Sequence, residues 1–271
     1  MHKRYMDAMT LMDKYGKPDI FLTMTCNPKW IEITNELKAH EDVQNRPDLV
    51  TRVFRSKFEQ LKKEVIKKKC FGPVQAYTYV IEFQKRGLPH VYLLLIMKRG
   101  HKLVTPNDFD QFISIEIPEE IKNPHLYAAV LKHMMHGPCG KLNAGNVCMK
   151  NGKCKNHYPK KFTQATTVAT DGYLVYRRRN DGKQVRVRQQ ILDDRWVILY
   201  SPYLLAMLDC HSSPKANFLV VIKAVKYLYK YIYKGHDKIV FRIIAQRNNE
   251  TVDEIMQFQT ARWVTPPEAM W

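Results

Sequence analysis

A histidine followed two residues later by a tyrosine, His90-Val91-Tyr92, lies in an apolar run from Gly87 to Ile96 that reads as a strand. Side chains alternate along a strand, so residues 90 and 92 share a face. A His-hydrophobic-His triplet there would offer two imidazoles to one metal ion. Here the second position carries a phenol instead. Glu82 precedes His90 across the turn Gln84-Lys85-Arg86-Gly87, so its carboxylate would approach the imidazole from the neighbouring strand, with the Gln84 amide oxygen as an alternative donor. Such a set can hold Mg2+ or Mn2+ with positions open for phosphate oxygens, which polarises a phosphoryl group and stabilises charge in its transition state. The plainer reading of His90 and Tyr92 is that they only pack or face solvent.

A second group of chemically capable residues runs Lys226-Tyr227-Leu228-Tyr229-Lys230-Tyr231-Ile232-Tyr233-Lys234-Gly235-His236. On a helix Tyr227 and Tyr231 share a face, and Lys230 and Lys234 form their own i,i+4 pair beside it. A phenol with a pKa of about 10 becomes a competent nucleophile only where cations or a metal favour the phenolate. Tyr229 and Tyr233 point elsewhere, to packing or to base stacking.

Cysteine and histidine make a third group. Cys139, Cys148 and Cys154 fall close together and are flanked by His133, His136 and His157. This fits a Cys3His zinc site in a loop-rich insert, with His136 preferred as fourth ligand over the other two; free or buried cysteines are the alternative.

The charge balance says what such chemistry would act on. Forty-four Lys and Arg against 26 Asp and Glu leave a formal charge of +18, which points to a polyanion, nucleic acid first. Lys62 and Lys63, with Lys67, Lys68 and Lys69, give one basic flank; Arg177, Arg178 and Arg179, with Arg186 and Arg188, give another beside Tyr173 and Tyr176. Cations that track phosphates beside aromatic faces that accept unstacked bases suit a single-stranded substrate. No stretch reaches the roughly 18 apolar residues of a membrane span, and the N-terminus lacks a signal-peptide core, so no membrane is expected. An intracellular place follows, where the six cysteines stay reduced or bind metal.

The elements that must position these residues read as an α+β domain with an antiparallel central sheet and flanking helices. Apolar spacing predicts helices over 4–15, 47–69 and 124–136, after Pro106 and after Pro202, and a last long one over 216–234. Strands are predicted at 20–25, 74–83 and 90–97, the last two as a hairpin, and again at 173–178, 184–189 and 196–200. Three parts result: 1–123 with the metal-site strand, a helix and Cys/His-rich insert over 124–172, and 173–271 with the tyrosine helix. The ending Pro266-Pro267-Glu268-Ala269-Met270-Trp271 reads as an internal point of a longer polypeptide.

Four segments carry a family resemblance: Asp19 to Trp30, Glu82 to His90, His136-Gly137-Pro138-Cys139 with Gly152-Lys153-Cys154, and Ala224-Val225-Lys226-Tyr227 through Lys234-Gly235-His236-Asp237. Together, and in this order, they resemble the N-terminal replication-initiator domain of Helitron transposases. The resemblance implies a His-hydrophobic-His endonuclease fold in a nuclear protein that acts on the single-stranded ends of a rolling-circle transposon, with a helicase domain following in the parent polypeptide. It also implies that one tyrosine of a Tyr-x-x-x-Tyr-x-x-Lys motif, here Tyr227, Tyr231 and Lys234, attacks a DNA phosphate to leave a 5′-phosphotyrosine. The family's metal pair corresponds to His90 and position 92. Glu82 matches in spacing the acidic ligand of similar plant-virus initiators. Tyr92 departs from the pattern, and a neutral phenol is a far weaker ligand than imidazole, so nicking is expected to be impaired. The competing expectation is a catalytically silent module that binds single-stranded nucleic acid on the same fold.

Overall fold

The computed structural model describes residues 14–16, 18–83, 87–170, 174–216 and 266–271. The elements are β1 (Ile20–Thr25), α1 (Ile31–Thr34), α2 (Pro47–Lys62), β2 (Val74–Phe83), β3 (Pro89–Met97), α3 (Pro106–Asp110), α4 (Pro124–His133), β4 (Met149–Lys150), β5 (Lys153–Cys154), β6 (Thr167–Val168), β7 (Leu174–Val175), β8 (Val185–Val187), β9 (Gln190–Leu192), α5 (Pro202–Leu208), β10 (Ser212–Ala216) and α6 (Pro266–Ala269). The architecture is α+β: β10, β1, β3 and β2 form, in that order, an antiparallel sheet, and β4–β5, β6–β7 and β8–β9 form small two-stranded ladders.

β3 is buried along its whole length, as a strand inside a sheet with both faces covered must be. Its odd-numbered residues Val91, Leu93, Leu95 and Met97 join Ile20, Leu22 and Met24 of β1 and Phe54, Phe58 and Leu61 of α2 in the main core. The even-numbered set, with Tyr92 and Leu94 against Phe21 and Val80, packs on the opposite face. α2 starts with Pro47 at its first turn and Asp48 beside the positive helix end, both favourable there. Its apolar stripe continues through a π-helical turn, Lys63–Lys67, which keeps Val65 fully buried. The single helix expected over 47–69 therefore divides near Lys62.

A second core joins α4, the Cys/His segment and the chain around Trp196: Val130, Met134, Leu192, Trp196, Val197, Tyr200 and Leu205. The strand expected over 196–200 is instead a 3-10 turn, Asp194–Trp196, followed by isolated bridges from Val197 to Met135 and from Tyr200 to Ser114. Trp196, Val197 and Tyr200 are all buried, which defeats the alternation a half-buried strand would need. The strand expected over 184–189 folds back on itself as β8–β9, with Arg188 and Gln189 at positive φ in a two-residue turn. No motif signals this turn, since neither residue is Gly, Asn or Asp.

The irregular 194–197 backbone is held by two buried polar groups. The Arg178 guanidinium donates to the carbonyls of Asp194 and Val197, and Asp194 Oδ1 accepts from the Ile117 amide at 2.7 Å. Burial pushes the Asp194 carboxyl up from its ordinary 3.8 to about 6, against the opposing Ile117 N–H. A carboxyl raised in the fold stabilises it fully below the unfolded pKa, and that stability is lost as pH climbs through the folded pKa. Asp194→Asn should therefore match the native chain in melting temperature near pH 4, gain on it up to about pH 6, and keep a constant lead above that. Thermal melts across this range check it.

Candidate metal centres

On the face of the sheet away from α2, the strand register lines up one row of side chains. Glu82 of β2 pairs with His90 of β3, and His90 pairs with Thr25 of β1. The Thr25 amide donates to the His211 carbonyl at 3.0 Å, extending the β1–β10 ladder one step beyond Met24↔Ser212. Directly paired residues share a face, so the row reads Glu82, His90, Thr25, His211 across the sheet.

Within this row the contacts are specific. Thr25 Oγ1 lies 2.7 Å from His90 Nδ1, and when Nδ1 donates that bond, Nε2 presents its lone pair. The Tyr92 hydroxyl donates to Glu82 Oε2 at 3.2 Å, while its ring stands edge-on to His90 at 4.4 Å and stacks on Phe21 at 5.8 Å. His90 is 8 % exposed. Burial, and next the nearby His211, hold its pKa down to about 4, against the opposing pull of Glu82. The ring is therefore neutral at physiological pH, the form that binds metal.

The position of His211 depends on a pinned corner. Trp30 Nε1 donates to the Leu208 carbonyl at 2.7 Å and Asn27 Nδ2 to the Asp209 carbonyl at 2.7 Å. Asp209 turns the chain with φ 43°, and its carboxylate accepts from Lys132 Nζ and pairs with His133 Nε2, both at 2.9 Å. Asn27 also caps its own loop by accepting from the Lys29 amide at 2.9 Å. The Asn27-Pro28-Lys29-Trp30 segment thus fixes the corner from which β10 starts.

The other residues singled out from sequence distribute unevenly. Gln84, Tyr227, Lys230, Tyr231 and Lys234 lie outside the described residues. Lys63 is exposed, and Lys62 pairs with Glu59 at 2.6 Å while its ammonium lies over the rings of Phe58 and Tyr79. Arg177 reaches Asp110 at 3.5 Å, and Arg179 grips Glu116 with two side-chain donors, at 2.9 and 2.7 Å. Arg178 is a correction to the expected phosphate-binding patch: at 5 % exposure, with its guanidinium donating to backbone carbonyls, it braces the second core. Sequence reading missed Thr25 and His211, which only the pairing of distant strands brings to His90.

The Cys/His segment gathers as the spacing suggests. His136, Cys139, Cys148 and Cys154 place their ligand atoms within 4.8 Å of one another, the one such group among the described residues. His136, rather than His133 or His157, faces the sulfurs: Nε2 lies 3.6 Å from Cys139 Sγ and 3.5 Å from Cys154 Sγ. Its ring stacks on Tyr158 at 4.0 Å, and its amide donates to the Trp196 carbonyl at 2.8 Å, which ties it to the second core. Burial first, then the neighbouring sulfurs, push the Cys139 thiol up to about 12. Three thiols this close cannot all ionise unless a cation joins them; three thiols and an imidazole in a closed set are the donors of a structural zinc site. The cluster can thus hold a metal ion such as zinc. Elemental analysis should find one zinc per chain in the native protein and none in Cys154→Ser, with a lower melting temperature in the variant; equal melting of both would contradict a structural role.

Comparison with known proteins gives one similarity, confined to the first part of the chain. No curated protein matches the chain. Residues 1–95, which hold β1, α2, β2 and the His90 end of β3, match the family model described as the Helitron helicase-like domain at the N-terminus. Over this first third of its length the chain is similar to the Helitron N-terminal family.

Proposed function

We propose that the chain is the single-stranded DNA endonuclease and strand-transferase domain of a rolling-circle, Helitron-type transposase, with its metal site weakened at Tyr92. The observation that carries this reading is the alignment of Glu82, His90 and Thr25 on one sheet face inside a segment that matches a Helitron domain. Mg2+ or Mn2+ held by His90 and Glu82 would polarise the scissile phosphate. An oxygen of Tyr227 or Tyr231 forms the new bond to phosphorus. The bond from phosphorus to the 3′ oxygen breaks, and that oxygen takes a proton and leaves as a free hydroxyl. Lys230 and Lys234 favour the phenolate and neutralise the phosphate. Two tyrosines permit two successive transfers. The net charge of +18, with exposed Lys63, Arg186 and Arg188, supports a DNA partner, and the same lineage supports a following helicase domain and a nuclear place.

One observation favours a second reading. The Tyr92 hydroxyl occupies Glu82, the carboxylate that would otherwise serve the metal, which suits a silent module that only binds single-stranded nucleic acid.

A pool of 3′-labelled single-stranded oligonucleotides incubated with Mn2+ separates the two. The nuclease reading expects a denaturation-resistant protein–DNA adduct that carries the label and is lost when Tyr227→Phe and Tyr231→Phe are combined. Retained DNA binding with no adduct in the native chain decides for the silent module.

A further inference from the structure

We propose that His211 is a metal ligand of this chain, completing with His90 and Glu82 a carboxylate–imidazole–imidazole site that runs across the sheet instead of along β3. The inference rests on the reading of this sheet face as a divalent-metal site and names a ligand that the strand motif does not contain.

The register supplies the geometry. His90 and His211 lie on either side of Thr25, two strands apart, with neighbouring strands about 4.8 Å from one another. Their Cα atoms therefore stand roughly 10 Å apart on one face. An imidazole with its metal bond of about 2.1 Å reaches past the middle of that span, so a single ion above Thr25 would come within reach of both rings once they turn toward it. Thr25, the smallest member of the row, stands between His90 and His211. Its hydroxyl also holds His90 by Nδ1, the outer-shell contact that orients a metal-binding histidine and directs Nε2 at the ion. Glu82 stands next to His90 on the other side and contributes the negative oxygen.

Chemistry and anchoring agree with this placement. The side chain at position 92 is a phenol bonded to Glu82, so β3 itself provides one imidazole, and His211 provides the second. His211 is half-buried, which leaves an approach for phosphate oxygens, and it lies near enough to His90 for the two rings to interact electrostatically. A shared cation turns that proximity from a cost into a binding site. The backbone leading to His211 is pinned at the Leu208 and Asp209 carbonyls by Trp30 and Asn27, so little order remains to be gained on binding.

Mn2+ added to the zinc-loaded protein is the probe, since it favours oxygen and imidazole over thiolate. Electron spin-echo modulation of bound Mn2+ should show two imidazole nitrogens in the native chain, which requires no variant to fold. One nitrogen should remain in His211→Gln and one in His90→Gln, with Kd weakened at least about tenfold in each, and His125→Gln at an exposed position should change nothing. If His90→Gln removes a nitrogen and weakens binding while His211→Gln leaves both unchanged, the metal site stands and the role of His211 is overturned. If Mn2+ in the native chain shows no coordinated nitrogen, both are overturned.

Discussion

The pairing of β3 between β1 and β2 is the constraint from which the sheet face follows. With every residue of β3 buried, parity alone decides that Val91, Leu93 and Leu95 meet the α2 aromatics while His90, Tyr92 and Leu94 take the other face. A slip of one residue would drive His90 into the Phe54–Phe58 core and take Val91, Leu93, Leu95 and Met97 out of it, so the register is held by the full strength of core burial. The same register places Glu82 on one side of His90 and Thr25 on the other. The chemistry of the face is thus inherited from the hydrophobic pattern of its back.

Tyr92 is built into that face, not merely tolerated there. It is 7 % exposed, stacks on Phe21, contacts the His90 ring and donates to Glu82. A phenol of this kind gives up burial and a hydrogen bond to a charged acceptor if a metal draws Glu82 away, and bonds to charged acceptors are among the stronger ones. Metal binding at His90, as proposed, would therefore compete with an existing interaction as well as lack the imidazole that position 92 would supply. Loss of one imidazole from a small divalent site removes part of a Lewis-acid contribution worth several kcal/mol, or orders of magnitude in rate.

How far the sequence carries depends on whether the determinants are local. β1, the β2–β3 hairpin and α2 follow from period and turn chemistry, and Glu82 meets His90 as their spacing across the turn implies. Cys139, Cys148 and Cys154 converge as their close spacing suggests. β10 is the opposite case. Ser212-Ser213-Pro214 has poor strand propensity, and its place at the sheet edge comes from pairing with β1 and from the Asn27 and Trp30 anchors far away in sequence. His211 was hidden for that reason. Arg178 looked like its neighbours Arg177 and Arg179, and only the carbonyls exposed by the turn at Asp194–Trp196 draw it inward.

The central proposal is that this face is a divalent-metal nuclease site weakened by a single side chain. Single-turnover cleavage of single-stranded DNA at saturating Mn2+, compared between the native chain and Tyr92→His, tests it most directly. The account predicts cleavage faster by at least about tenfold in the variant, a gain of about 1.4 kcal/mol in transition-state stabilisation or more. Equal rates in the two proteins would contradict it.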